Sequence, residues 1–204
     1  MIIKNAQFVK SYSLGYNGST NNEICVVGRS NVGKSSFINA LCNNYKLAKT
    51  SSTPGRTRLI NVFSINGGQF NLVDLPGYGY ALASKAEKES WDAIMGHYFE
   101  NTATLKQALV LVDIRHEPTD KDVAMLNYLY YYAMPFTVIA TKCDKLSKSQ
   151  IYPAVAVVAR KLGIGKDDVI PVSSQTKLGF EKVLCKIEPV SYTHLRAHET
   201  SAHL

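Results

Sequence analysis

Short apolar runs alternate along this chain with longer stretches in which apolar positions recur every three or four residues. The run at 23–27, Glu-Ile-Cys-Val-Val, is apolar at consecutive positions, the pattern of a strand covered on both faces. Two β-rich runs, 59–66 and 69–74, flank Gly67 and Gly68, and Asn66-Gly67 predicts a hairpin between them. Residues 107–113, 135–141 and 168–174 read as three further strands. Helical spacing falls on 34–41, 84–99, 119–132, 147–162 and 179–187, the third opened by Pro118. Strands alternating with helices predict a doubly wound α/β sheet of six strands, mostly parallel with one antiparallel edge strand and helices on both faces. Ligands of such sheets bind at the carboxyl ends of the strands.

The pattern contains no internal repeat or linker, so residues 1–188 read as one domain, opened by a short segment at 1–22 whose end, 15–22, is a polar loop. From Pro189 the stretch PVSYTHLRAHETSAHL shows neither period and holds three of the five histidines. It reads as a non-native or disordered tail, resembling an adapter-derived peptide, and is set aside from the fold. No apolar run approaches the ~18 residues of a membrane span, and the N-terminus lacks a signal-peptide core, so a cytoplasmic protein without membrane contact is expected. Four scattered cysteines without a C-x-x-C pair read as reduced thiols. Lys and Arg exceed Asp and Glu by 23 to 16, a formal +7, which suits a polyanionic partner such as RNA and equally suits plain solubility.

The first strand runs into GRSNVGKSS. Gly28, Gly33, Lys34 and Ser35 fit G-x-x-x-x-G-K-[ST], a spacing that wraps main-chain amides around a phosphate at a helix N-terminus. Lys34 would reach the β- and γ-phosphates, and Ser35 would ligate Mg²⁺. The loop alone indicates a nucleotide without saying which. Asp74 ends a strand and is followed by Leu75, Pro76 and Gly77. This D-x-x-G is an ordinary turn in isolation, but beside a phosphate loop it can hold the Mg²⁺ shell through water and offer the Gly77 amide to a γ-phosphate. Thr141, Lys142, Cys143 and Asp144 follow another strand. A carboxylate there accepts from guanine N1–H and N2–H₂, a donor pair adenine lacks, while the Lys142 stem lies against the base. Val172, Ser173 and Ser174 end the last strand and could supply amides to the guanine oxygen. The polar loop 51–59 carries a hydroxyl suited to completing Mg²⁺ coordination, with Thr57 preferred to Thr53.

With these residues in view, the chain resembles the EngB/YihA/YsxC family of bacterial GTPases, within the Era/TrmE-like group. GRSNVGKSSFINAL, TSSTPGRTRLIN, VDLPGYGYA, DIRHEPTDKD and IATKCDK carry the resemblance, which covers residues 21–186. It implies a Ras-like P-loop NTPase fold, GTP and GDP binding, and slow GTP hydrolysis. It also implies a role in assembling the large ribosomal subunit, with its rRNA and proteins as partners, and a need for the protein in normal cell division and septation. Carried over by motif, phosphate contacts fall on Gly28, Arg29, Ser30, Asn31, Val32, Gly33, Lys34 and Ser35. First-switch contacts fall on Gly55, Arg56, Thr57, Arg58 and Leu59, with Thr57 on Mg²⁺. The second-switch contacts are Asp74 to Gly77, and the base site is the 141–144 and 172–174 pair of turns. The family's final helix is longer than the one expected here, which breaks off near Glu188.

Lys34, Thr57 and Gly77 are the expected catalytic contacts, and no general base is visible. Where many GTPases place a water-orienting glutamine after D-x-x-G, this chain has Tyr78, so intrinsic turnover should be slow and a partner should complete the site. Asn31 has two readings, a ligand for K⁺ beside the phosphates or a residue stabilising its own turn. Tyr78 and Tyr80 are expected on a loop that meets a partner, Trp91 and Tyr98 in a helix core, and His116 in a satisfied hydrogen bond. The YLYYYAM stretch at 128–134 reads as a helix end packed on the sheet rather than an RNA-stacking surface. A monomeric GTP switch is the leading reading. A passive RNA-binding module with a structural nucleotide is the alternative, and a P-loop kinase is disfavoured because no arginine-bearing lid is evident and TKCD would be unexplained.

Overall fold

In the computed structural model the described residues are 1–49, 59–79 and 85–192, without the side chains of 85–88 and 192. Seven strands are present: β1 (Ala6–Tyr12), β2 (Glu23–Gly28), β3 (Ile60–Ile65), β4 (Phe70–Asp74), β5 (Leu105–Asp113), β6 (Phe136–Thr141) and β7 (Val169–Pro171). They are joined by α1 (Lys34–Leu41), α2 (Lys85–Asn101), α3 (Asp120–Tyr131), α4 (Lys148–Leu162) and α5 (Phe180–Tyr192). The sheet order is β1-β3-β4-β2-β5-β6-β7, with β3 antiparallel to both β1 and β4 and every other pair parallel.

The central strands are buried on both faces because every side chain along them has a helix to meet. Along β2, Cys25 and Val27 face one core with Met95 and Tyr98 of α2, Leu129 of α3 and Val158 of α4, while Ile24 and Val26 face the other with Phe37 and Ile38 of α1 and Val183 of α5. The period-2 alternation is hidden in the sequence because both halves of it are apolar. The connection after β2 runs to β3 on one side of it and the connection after β4 runs to β5 on the other, so the turn after Gly28 sits at the topological switch point.

Two expectations need correction. Among the described residues the sheet has seven strands rather than six, and the antiparallel β3 is not the edge, since β1 lies outside it. A bulge breaks the β1 register between Phe8 and Lys10, opposite Phe63 and Val62, and so erases the alternation that would have marked a strand. The last helix does not stop near Glu188 but runs through Pro189 to Tyr192. A proline in a helix costs about 3 kcal/mol in isolation. Here the following turn is held by Asn22 Nδ2 donating to the Val190 carbonyl at 3.0 Å and by the burial of Ser191. Residues 193–204 lie outside the described residues.

At the end of the sheet away from the β2–α1 turn, Glu23 is fully buried. It accepts from Tyr16 Oη at 2.5 Å, the Ser19 amide at 2.9 Å and Tyr98 Oη at 3.0 Å. Burial pushes its carboxyl above the ordinary glutamate value, and these donors only partly offset that. A raised folded pKa means the native state binds the extra proton, so stability falls as pH rises from the ordinary glutamate pKa through the raised one. Thermal unfolding between pH 4.5 and 8 should therefore lose a component of destabilisation with rising pH in Glu23→Gln relative to the parent chain. Parallel pH profiles for the two proteins would show that Glu23 does not titrate in this way.

Candidate nucleotide site

Four loops converge at the carboxyl ends of β2, β4, β6 and β7. The first, after Gly28, reaches α1 through Asn31 at φ 64° and Gly33 at φ 101°, both left-handed. Gly33 takes the αL conformation that glycine adopts without a Cβ penalty and serves as the α1 N-cap without a side-chain cap bond. Gly28 is needed for space: a Cβ there would lie 2.9 Å from Val32 Cγ1 and 3.1 Å from the Leu111 carbonyl oxygen. The Val32 amide is used by Arg29 O at 3.2 Å and the Ser30 amide by Tyr78 O at 3.1 Å. Among the described residues the amides of Asn31, Gly33, Lys34 and Ser35 have no protein acceptor, which leaves a cluster of donors at a helix N-terminus, where the dipole favours an anion. Of the residues expected on phosphate, Ser30 and Val32 thus contribute through loop shape rather than through free amides.

Lys34 Nζ pairs with Asp74 Oδ1 and donates to the Leu75 carbonyl at 2.7 Å, which brings the loop lysine and the β4 carboxylate together. Asp74 is buried, and its second oxygen receives a long bond from Asn61 Nδ2 at 3.4 Å. The Ser35 hydroxyl, one residue beyond Lys34, is half-buried and unpaired among the described residues. A hydroxyl next in sequence to the lysine that meets this carboxylate offers, together with it, the hard-oxygen donors that suit Mg²⁺.

At the end of β6, Thr141 Oγ1 donates to Val32 O at 2.7 Å and ties the two loops together. Lys142 is left-handed at φ 64°, and its Nζ donates to Asn31 O at 2.8 Å and to Asp113 Oδ2 at 2.9 Å. This stretches the lysine stem over the space beside the phosphate loop. The Asp144 carboxylate accepts from Ser173 Oγ at 2.8 Å and pairs with Lys145 at 3.2 Å. Burial works against its charge, but the bonds from Ser173 and Lys145 outweigh it and hold the carboxyl below the usual range. Cys143 is buried, and its amide donates to Val172 O at 3.1 Å, which sets β7's turn against the 141–144 turn.

Two of these roles were not visible in the sequence. Ser173 was expected to offer an amide, yet its amide is spent on Leu178 O at 3.1 Å and its hydroxyl orients Asp144 instead. In the sequence Asp113 is only the end of a strand. It anchors Lys142 and grips Arg115 through Nε at 2.9 Å and Nη2 at 2.7 Å, and although burial opposes its charge, these partners hold its carboxyl well below the usual range. Its position at the carboxyl end of β5, opposite Thr141 at the end of β6, was the available signal.

Other expectations are revised. Tyr78 does not face a partner: it is buried and its hydroxyl donates to Asp122 Oδ1 at 2.9 Å. Tyr98 is core, while Trp91 is partly exposed and donates to Pro76 O at 3.0 Å. The His116 ring is exposed and has no hydrogen-bond partner among the described residues, so the satisfied role expected for it is not found. In the tyrosine stretch, Tyr128 and Tyr132 pack on Phe99, whereas Tyr131 is 83% exposed. A groove of about 490 Å³ lined by Tyr130, Met134, Phe136 and Ile164 lies at the opposite ends of the strands from the four loops. Gly55, Arg56, Thr57, Arg58 and Tyr80 lie outside the described residues, while Leu59 leads into β3 and is exposed.

Comparison with known proteins agrees with this fold. The model of a family described as 50S ribosome-binding GTPase matches residues 23–142. A probable GTP-binding protein EngB of Clostridium kluyveri is 46% identical over 193 residues, covering 93% of this chain and 98% of that protein. Its counterpart in Clostridioides difficile is 48% identical over 162 residues, 79% of each chain. The crystal structure of a probable GTP-binding protein engB superposes with a TM-score of 0.66 at 24% identity, covering 83% of this chain and 98% of that one. Era in complex with MgGDPNP and nucleotides 1506–1542 of 16S ribosomal RNA superposes with a TM-score of 0.62 at 22% identity, over 84% of this chain and 56% of Era. At these identities the two structures establish a shared fold.

Proposed function

Because this chain belongs to the EngB family of GTP-binding proteins and is a GTP-hydrolysing enzyme, we propose that it acts as a slow GTP-driven switch in assembly of the large (50S) ribosomal subunit. Normal cell division and septation would depend on it through that role. The protein works in the cytoplasm as a monomer of one domain. The described residues hold no helix long and apolar enough to cross a membrane.

The observation that carries the reading is the pairing of unfilled amides at the α1 N-terminus with the oriented Asp144 carboxylate across the same cleft. The amides and Lys34 would take the phosphates, and Asp144 the guanine N1–H and N2–H₂. Ser35, Thr57 and Asp74, the last through water, would hold Mg²⁺, which when bound neutralises charge on the β- and γ-phosphates. Asn31, exposed in the phosphate loop, would contact K⁺ or, on its second reading, stabilise its own left-handed turn. Lys34 would leave Asp74 for the phosphate oxygens, and the Gly77 amide would meet the terminal phosphoryl group. In hydrolysis a water attacks the γ-phosphorus while the bond to the β-phosphate oxygen breaks. No side chain from position 78 orients that water, because the Tyr78 hydroxyl is committed to Asp122. Intrinsic turnover is therefore slow, and the assembling particle supplies the missing group.

Sedimentation with purified 50S particles tests this reading. The chain should co-sediment with a non-hydrolysable GTP analogue and be released with GDP, and particles should accelerate single-turnover hydrolysis. Equal sedimentation in both nucleotide states, without acceleration, would favour a passive binding module instead.

A further inference from the structure

The segment after Asp74 is fixed at both flanks of Gly77 by contacts that nucleotide binding does not require. Pro76 and Tyr78 are buried while Gly77 and Gly79 are partly exposed, so the segment alternates like a strand lying on the phosphate loop. Tyr78 bridges to Arg29 in parallel fashion, its amide donating to Gly28 O at 3.3 Å and its carbonyl accepting from Ser30 N at 3.1 Å. Gly77 rests directly on that loop, where a Cβ would sit 3.4 Å from both Gly28 O and Ser30 N.

Two side chains hold this arrangement. The Trp91 indole N–H from α2 donates to Pro76 O at 3.0 Å. In a planar trans peptide the N–H points opposite the carbonyl, so pinning Pro76 O toward α2 turns the Gly77 N–H away from it. No described residue accepts that N–H. The Tyr78 hydroxyl donates to Asp122 Oδ1 at 2.9 Å, and its ring meets the Trp91 ring edge-on at 6.3 Å. Asp122 can serve because its other oxygen closes the α3 capping box, accepting from Thr119 N at 2.7 Å and Thr119 Oγ1 at 2.8 Å.

We propose that Tyr78 and Trp91 are positioning residues that clasp the segment on either side of Gly77 and present its amide to the terminal phosphate of a nucleoside triphosphate, so that they set the preference for GTP over GDP. The proposal rests on the GTP-switch reading above. The tyrosine that replaces the usual water-orienting side chain thereby has a job of its own: it trades hydrolysis speed for a preset triphosphate contact.

Calorimetry on the full chain with GDP and with a non-hydrolysable GTP analogue tests it. Tyr78→Phe keeps the ring and removes the bond to Asp122. Affinity for the analogue should fall roughly five- to tenfold, with GDP affinity held within about twofold, since the lost bond is to a charged group and bears on one phosphate. Trp91→Phe removes the indole donor by another route and should lower the same ratio, and the double variant should lose less than the product of the two because both act through Gly77. Equal weakening of both nucleotides, or an unchanged ratio in Trp91→Phe, overturns the clasp while leaving the GTP reading intact. A parent chain that binds neither nucleotide overturns the GTP reading itself. Should Tyr78→Phe fail to fold, Trp91→Phe decides the matter alone.

Discussion

Asparagine in place of Asp144 is expected to lower GTP affinity by roughly a thousandfold and to raise affinity for XTP above that for GTP, through the loss of two charge-assisted bonds worth about 1.5–3 kcal/mol each. Guanine offers two donors, N1–H and N2–H₂, to a carboxylate. An asparagine presents one acceptor and one donor, and its amide N–H would oppose the guanine amino group. Xanthine carries a carbonyl in place of that amino group and matches the asparagine instead. The structure makes the test sharp, because Asp144 is held in one orientation by Ser173 Oγ at 2.8 Å, so the replacement inherits a fixed plane rather than finding a new one. The hydroxyl of Ser173 also accepts from the amides of Gln175 at 3.2 Å and Thr176 at 3.1 Å, and that turn should survive the substitution. Competition binding with GTP, XTP and ATP is the measurement. Retained GTP affinity in Asp144→Asn would remove the base assignment and with it the distinction from an ATP-using kinase.

What the sequence made legible was whatever depends on local spacing. The glycine and lysine positions of the phosphate loop follow from the steric needs of one turn, and the central strands follow from continuous apolar runs that leave a strand no exposed face. Most of the features it concealed arise from partners distant in the chain. Tyr78, flanked by glycines, has the local look of an exposed loop residue, and nothing nearby shows that Asp122 sits over it. Asp122 in turn reads as a helix-capping residue, which it is, with one oxygen left over. Ser173 and Asp144 are 29 positions apart, as are Asp113 and Lys142, and each pair meets because parallel neighbouring strands end at the same level. Pro189 obeys the local rule against prolines in helices, and tertiary contact with Asn22 overrides it. Strand β1 fails for the opposite reason: its signal was local, and a bulge broke it.

Lys34 occupies the point where these local and distant constraints meet, and its removal should separate stability from binding. Its ammonium pairs with the Asp74 carboxylate, and the two side chains are 11% and 5% exposed. Lys34→Met leaves that carboxylate with the long Asn61 bond as its remaining described partner, and stranding one member of a buried pair costs about 3–5 kcal/mol. At roughly 2–4 °C per kcal/mol for a chain of this size, the unfolding midpoint should drop by about 6–20 °C. Nucleotide affinity should fall by about a hundredfold or more, since a charge-assisted contact to phosphate is lost together with the loop's fixed cation. Adding Asp74→Asn to Lys34→Met removes the stranded charge, so the double variant should regain most of the lost stability and none of the nucleotide affinity. If the single variant unfolds at the parent temperature, the Lys34–Asp74 pair contributes nothing to the resting fold. If it still binds GTP like the parent, the phosphate contact has to be sought elsewhere in the loop, and the free main-chain amides of residues 31, 33, 34 and 35 would then carry the triphosphate alone.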